Sequence, residues 1–126
     1  MTIKQSELTK RPPPPEEGGV KSEVICLVGS VKQEKDWRTW IAKLTSKGYV
    51  VFGAGLYGTV EKGVSRETWD LVSRVHWRKI DLSDVVAVIR KKDGTVGADT
   101  QMDVKYAISK GKRVVYVEDL IKGLTS

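Results

Sequence analysis

A glycine-punctuated loop runs into a helix-like segment at GTVGADTQMDVKYAISKGK, residues 94–112, and a carboxylate, Asp103, is expected within the first turn of that segment. Two roles fit it. Thr100-Gln101-Met102-Asp103 matches T-x-x-D, a capping-box variant in which the acid bonds back to the backbone at the helix start. Val104, Ala107 and Ile108 are expected to face a sheet, which sets Asp103 beside a buried stripe. A carboxylate so placed can stabilise or attack an oxocarbenium-like sugar carbon, as retaining glycosyl transfer requires.

A second stretch with chemical potential is VGSVK, residues 28–32. Gly29 and Ser30 close an apolar run, where backbone N–H groups and a hydroxyl can approach a phosphate or sugar. That turn is neither G-x-G-x-x-G nor G-x-x-x-x-G-K-[ST], so it is not a dinucleotide fingerprint or a Walker loop. An ordinary strand-to-helix turn reads the same way. His76 falls on the apolar stripe of its segment and fits a packed histidine as well as an acid or base. The four tryptophans fit core and interface positions better than base-stacking platforms.

Composition narrows the classes. The single cysteine, Cys26, lies inside EVICLVG and has no intrachain partner, and a lone histidine is incompatible with zinc-finger spacing. No metal site and no cofactor are expected. The formal net charge of +6 permits polyanion binding. Lys and Arg are nonetheless scattered, with short clusters only at 90–92 and 110–113, so a solvated surface is expected and a nucleic-acid partner is not. No 18-residue apolar run and no basic-then-apolar leader occurs, which predicts a cytoplasmic protein without a membrane partner.

The elements that must position these residues follow from periodicity. Residues 1–22 hold four consecutive prolines and few apolar side chains, and predict a flexible tail. VICLV (24–28) reads as a strand covered on both faces. Trp37, Trp40, Ile41 and Leu44 form a helical stripe, and Gly48 suits its stop. YVVF (49–52) reads as a second strand, followed by the loop GAGLYG. Trp69, Val72, His76 and Ile80 trace a helix over about 65–81, DVVAVI a third strand, 100–110 a third helix and RVVYV a fourth strand. EDLIKGLTS is a short helix or tail. This alternation predicts one flavodoxin-like or Rossmann-like α/β domain over 23–126, with four parallel strands in the order 2-1-3-4 flanked by helices. Ligands in such sheets bind at the carboxyl ends of the strands, where Gly29, Ser30 and the loop after the third strand lie.

VICLVGS, VHWRKIDLSDVVAVI and GTVGADTQMDVKYAISKGKRVVYVED, in this spacing, resemble the nucleoside 2-deoxyribosyltransferase-like superfamily over about 24–119. In that family a Gly-Ser-type turn follows the first strand, and a G-T-x-x-E-x-G-Y-A-like segment opens the helix after the third. The resemblance puts the family's nucleophilic glutamate on Asp103 and its threonine on Thr100, and matches Tyr106 and Ala107 directly. A small branch of the family also fits at His76, Lys79, Ile80, Ser83, Asp84, Gly94 and Gly97. It implies transfer or hydrolysis of the N-glycosidic bond of a nucleoside or nucleotide, with Asp103 catalytic, Gly29, Ser30, His76, Gly97 and Thr100 holding substrate, and a homodimer or larger homo-oligomer. Asp103 is one methylene shorter than glutamate. That departure supports a second reading, a nucleotide-binding or regulatory module with a degenerate, non-catalytic site.

Overall fold

The computed structural model describes residues 18–57 and 63–125, with side chains as far as Lys122. Strand β1 (Val24–Val28) leads through α1 (Glu34–Ser46) to β2 (Val50–Phe52), then through α2 (Arg66–Asp81) to β3 (Val85–Val88), α3 (Ala98–Ser109), β4 (Arg113–Tyr116) and α4 (Val117–Thr125). The four strands form one parallel sheet in the order β2-β1-β3-β4, as the alternation predicts. Cys26 pairs with Phe52 on one side and Val86 on the other, so β1 is an interior strand. β1 and β3 carry no polar side chain and are buried almost throughout, as sandwiched parallel strands must be.

Alternate side chains feed two cores. Ile25, Leu27, Val85 and Ala87 point to the face covered by α1 and α4, where they meet Trp37, Leu44, Val117 and Leu120. Cys26, Val28, Val86 and Val88 point to the other face, against Ile80 of α2 and Ala107 of α3. Burying a side chain of this size contributes roughly 1.5–3 kcal/mol, so the sandwich rests on these layers. The α1 stripe packs as expected, with Trp40 and Ile41 flanking Trp37 and Leu44. Gly48 has φ +92°, and a Cβ there would run into the Gly19 carbonyl, so glycine ends α1 for two reasons. Ser65 caps α2 by accepting from the Thr68 N–H at 3.1 Å.

Two boundaries near the site and the facing of one side chain differ from expectation. α3 begins at Ala98, two residues early, with Gly97 at its N-cap position. β4 ends at Tyr116, and Val117, fully buried, opens α4 without a loop. Ile108 is 62 % exposed and does not face the sheet. The stripe that does is Thr100, Val104 and Ala107, at i, i+4 and i+7, so α3 is turned on the sheet toward Thr100 and away from Ile108. The expected tail, 1–22, lies largely outside the described residues. Its last part runs along the domain, with the Lys21 N–H donating to the Gly48 carbonyl at 2.8 Å. Among the described residues, no helix is long and apolar enough to cross a membrane.

Candidate functional site

The chain leaves β1 toward β2 and leaves β3 toward β4, so the crevice of this sheet opens between the carboxyl ends of β1 and β3. Gly29 sits at that point. A Cβ on it would lie 3.0 Å from Ile89 Cβ and 3.3 Å from the Ile89 carbonyl oxygen, so the close approach of the two strand ends requires glycine. Ser30 follows. Its carbonyl accepts from the Trp37 indole at 2.9 Å, and its hydroxyl oxygen accepts from the Lys32 N–H at 3.3 Å. These bonds shape the turn that presents both residues at the crevice.

On the other side of β1, α3 starts at the end of the loop after β3. Gly97 offers no side chain to cap it, and its carbonyl accepts from Gln101 N–H. Asp99 supplies the acidic residue of the first turn, where the helix dipole favours it. The capping-box reading of Thr100 and Asp103 is therefore overturned. Thr100 is the third residue of the helix and only 3 % exposed, and Asp103 lies in the second turn, beyond reach of the free N–H groups. Asp103 instead accepts a hydrogen bond on Oδ1 from the Trp77 indole of α2, at 2.9 Å. Burial raises its carboxyl from 3.8 to about 6, the indole bond acting downward and the charge of Asp99 upward.

The same face of the sheet receives His76. Its Nε2 lies 3.9 Å from Cys26 Sγ, and its ring meets Trp37 edge-on at 6.2 Å between centroids. Burial and the nearby Lys79 ammonium lower the imidazole to about 4, against a hydrogen bond to the Leu27 carbonyl. His76 is thus a neutral, packed ring at neutral pH and not a general acid. Cys26 is pushed up to about 12 by burial, with Lys79 opposing and Asp103 assisting, which makes its thiol inert as a nucleophile. Lys79 donates to the Gly53 carbonyl at 3.0 Å.

Cys26 of β1 thus feels the charges of both Lys79 and Asp103, with His76 against it, so α2 and α3 converge over one strand. Gly29 and Ser30 join this cluster through Trp37, which touches both Ser30 and the His76 ring. A separate groove of about 490 Å³ lies on the α1 and α4 side of the same edge, lined by Asp36, Trp40, Arg90, Lys92 and Glu118 among others. None of the six expected site residues lines it. Lys91, on its wall, extends to within 3.8 Å of where a Gly97 Cβ would stand.

Two further residues bond into this cluster: Trp77, which no sequence pattern marks, and Lys79, which only the family resemblance names. Their polar partners, Asp103 and Gly53, lie 26 residues away in the chain, so no local pattern announces these bonds. The run GAGLYG after β2 does match G-x-G-x-x-G, but Gly58 falls outside the described residues and the next helix starts only at Arg66. Gly53 has a packing reason, since a Cβ there would come within 2.8 Å of Ile41 Cδ1. Among the described residues, no group of three or more His, Cys, Asp or Glu could hold a metal ion.

The fold is similar to that of a solved 2-deoxyribosyltransferase. The solved 2-deoxyribosyltransferase from Leishmania mexicana matches with a TM-score of 0.54 at 16 % identity, over 75 % of this chain. This chain spans 63 % of that structure's length. No family model matches the sequence, and no curated protein matches it. The sheet and its flanking helices are therefore similar in the two proteins at low sequence identity.

Proposed function

We propose that this protein transfers or hydrolyses the N-glycosidic bond of a nucleoside or nucleotide, with Asp103 as nucleophile or oxocarbenium stabiliser. One observation carries the reading. Asp103 is withheld from the helix cap, half-buried and held by an indole donor, an arrangement suited to a reacting carboxylate and unnecessary for a cap. In the transfer scheme a carboxylate oxygen bonds to the anomeric carbon while the carbon–nitrogen bond breaks. The electron pair leaves on the base, which takes a proton from solvent. Water, or the nitrogen of a second base, then displaces the carboxylate and yields free sugar or a new nucleoside. Gly29, Ser30, Gly97 and Thr100 would hold sugar or phosphate, and neutral His76 would supply a polar contact.

The fold shared with a 2-deoxyribosyltransferase supports this substrate class. The reading also takes the protein to be cytoplasmic, where the free thiol of Cys26 persists, and self-associating. Leu71 and Val75 on α2 and Leu82 just past its end, all apolar and exposed, support the latter, and light scattering at micromolar concentration tests it.

A second reading, a nucleotide-binding module without turnover, is favoured by the side chain itself. Asp103 is one methylene shorter than glutamate and has one oxygen engaged by Trp77, and an ångström of misplacement costs about a hundredfold in rate. Incubation with deoxynucleosides and their monophosphates separates the two. Free base that disappears in Asp103→Asn supports catalysis, whereas a ligand-induced thermal shift without free base supports the binding module.

A further inference from the structure

We infer that Trp77 is the positioning residue for Asp103: its indole N–H holds one carboxylate oxygen so that the other is presented to the substrate's reacting carbon. The inference rests on the glycosidic reading above. Its geometry begins with the 2.9 Å bond from Trp77 Nε1 to Asp103 Oδ1. That bond falls on Oδ1, and Asp103 as a whole is half-buried, not fully enclosed. One oxygen is held, and the other is the one left to meet the substrate.

A carboxylate on a helix rotates broadly about its last torsion, so a fixed donor decides which oxygen faces the crevice. Trp77 is itself fixed. Its indole stacks on Tyr106 with centroids 4.4 Å apart and planes 10° from parallel. The Tyr106 hydroxyl donates to Asp81 Oδ1 at 2.7 Å. Each helix therefore donates once and accepts once: α2 through Trp77 and Asp81, α3 through Tyr106 and Asp103. This double clamp locks the two helices in register beside the site. Tyr106, one turn beyond Asp103 on α3, acts through Trp77.

An indole suits the task for a chemical reason. It is a donor only and does not titrate, so it orients the carboxylate without pairing its charge or giving it a proton. Burial favours the neutral acid, and a charge-assisted bond from a neutral donor favours the anion that must react. The other groups acting around Asp103 are Asp99 on its own helix and the Cys26 thiol on β1, while Lys79 of α2 acts on Cys26 and His76. None of these replaces the indole bond.

Trp77→Phe keeps the ring that stacks on Tyr106 and deletes the N–H. Carbon-13 carboxyl titration should then show the Asp103 midpoint rising by about one pH unit, because bonds to charged groups are worth that much or more. Base release should fall about tenfold or more in kcat with KM changed little, and the acid limb of its pH profile should move upward with the titration. Should that variant fail to fold, the wild-type protein carries the test. The Trp77 indole N–H resonance should move with pH about a midpoint near 6, and stay flat in Asp103→Asn. An indole resonance that ignores Asp103, or an Asp103 titration unchanged in Trp77→Phe, overturns the inference. Shifted titration with no base release from wild-type protein sustains the holding role and counts against the glycosidic reading instead.

Discussion

Asp103→Asn should stabilise the protein at neutral pH and lose that advantage in acid. The folded carboxyl titrates at about 6 against 3.8 in the open chain, so its proton is bound more tightly in the folded state. Above pH 6 the fold carries an ionised, half-buried carboxylate, and that cost is relieved as pH falls from 6 to 3.8. A displacement of this size corresponds to about 3 kcal/mol at most. His76 runs the other way. Its folded value, about 4, lies below the ordinary 6.5, so the unfolded chain takes up a proton first and stability is lost as pH falls from 6.5 to 4. That effect is also about 3 kcal/mol at most. In the wild-type protein the two nearly cancel between pH 6.5 and 4. Asparagine can still accept from the Trp77 indole, so the substitution removes the charge with little loss of packing. Urea unfolding at intervals from pH 4 to 8 should give Asp103→Asn an advantage of roughly 1–3 kcal/mol at pH 7 that vanishes near pH 4. His76→Gln should show the complementary behaviour, with its gain confined to acid. A capping aspartate would give the opposite sign, a loss of up to about 1 kcal/mol on conversion to asparagine as the charge near the helix start is removed. A difference between Asp103→Asn and wild type that stays constant across this range would refute the reasoning.

Lys79→Met should raise the His76 midpoint from about 4, since the ammonium is one of the groups that lowers it, and proton NMR of the lone histidine reads this directly. Gly29→Ala should cost about 1–3 kcal/mol in urea unfolding, because the new Cβ presses on Ile89 at the junction of β1 and β3. Deleting residues 1–17 should leave the Tm within a few degrees, as expected for a proline-rich, weakly apolar segment. Extending the deletion through Lys21 should cost about 1 kcal/mol more, the net worth of its backbone bond to Gly48.

Alternating periodicities were enough to read the sheet. Apolar runs at 24–28 and 85–88 mark interior parallel strands because both of their faces must be covered, and the helical stripe from Trp37 to Leu44 states where α1 packs. Those signals are local, written within a few turns of chain, as is Gly48 at the end of α1. The carboxylate at 103 was also legible as a candidate, though its environment was not. Whether α3 starts at 98 or 100 turns on backbone geometry at Gly97. That offset decides that Asp103 is no cap, while the rotation of α3 on the sheet buries Thr100 and leaves Ile108 to solvent. Trp77 finds Asp103, and Lys79 finds Gly53, only because α2 and α3 lie side by side on one face of a sheet whose order brings β1 and β3 together. Side-chain partners across 26 residues depend on packing angles and helix rotation, which no short-range pattern encodes. The sequence by itself determined the layers and the residues able to react; the tertiary structure decided which of them meet and in what state of protonation.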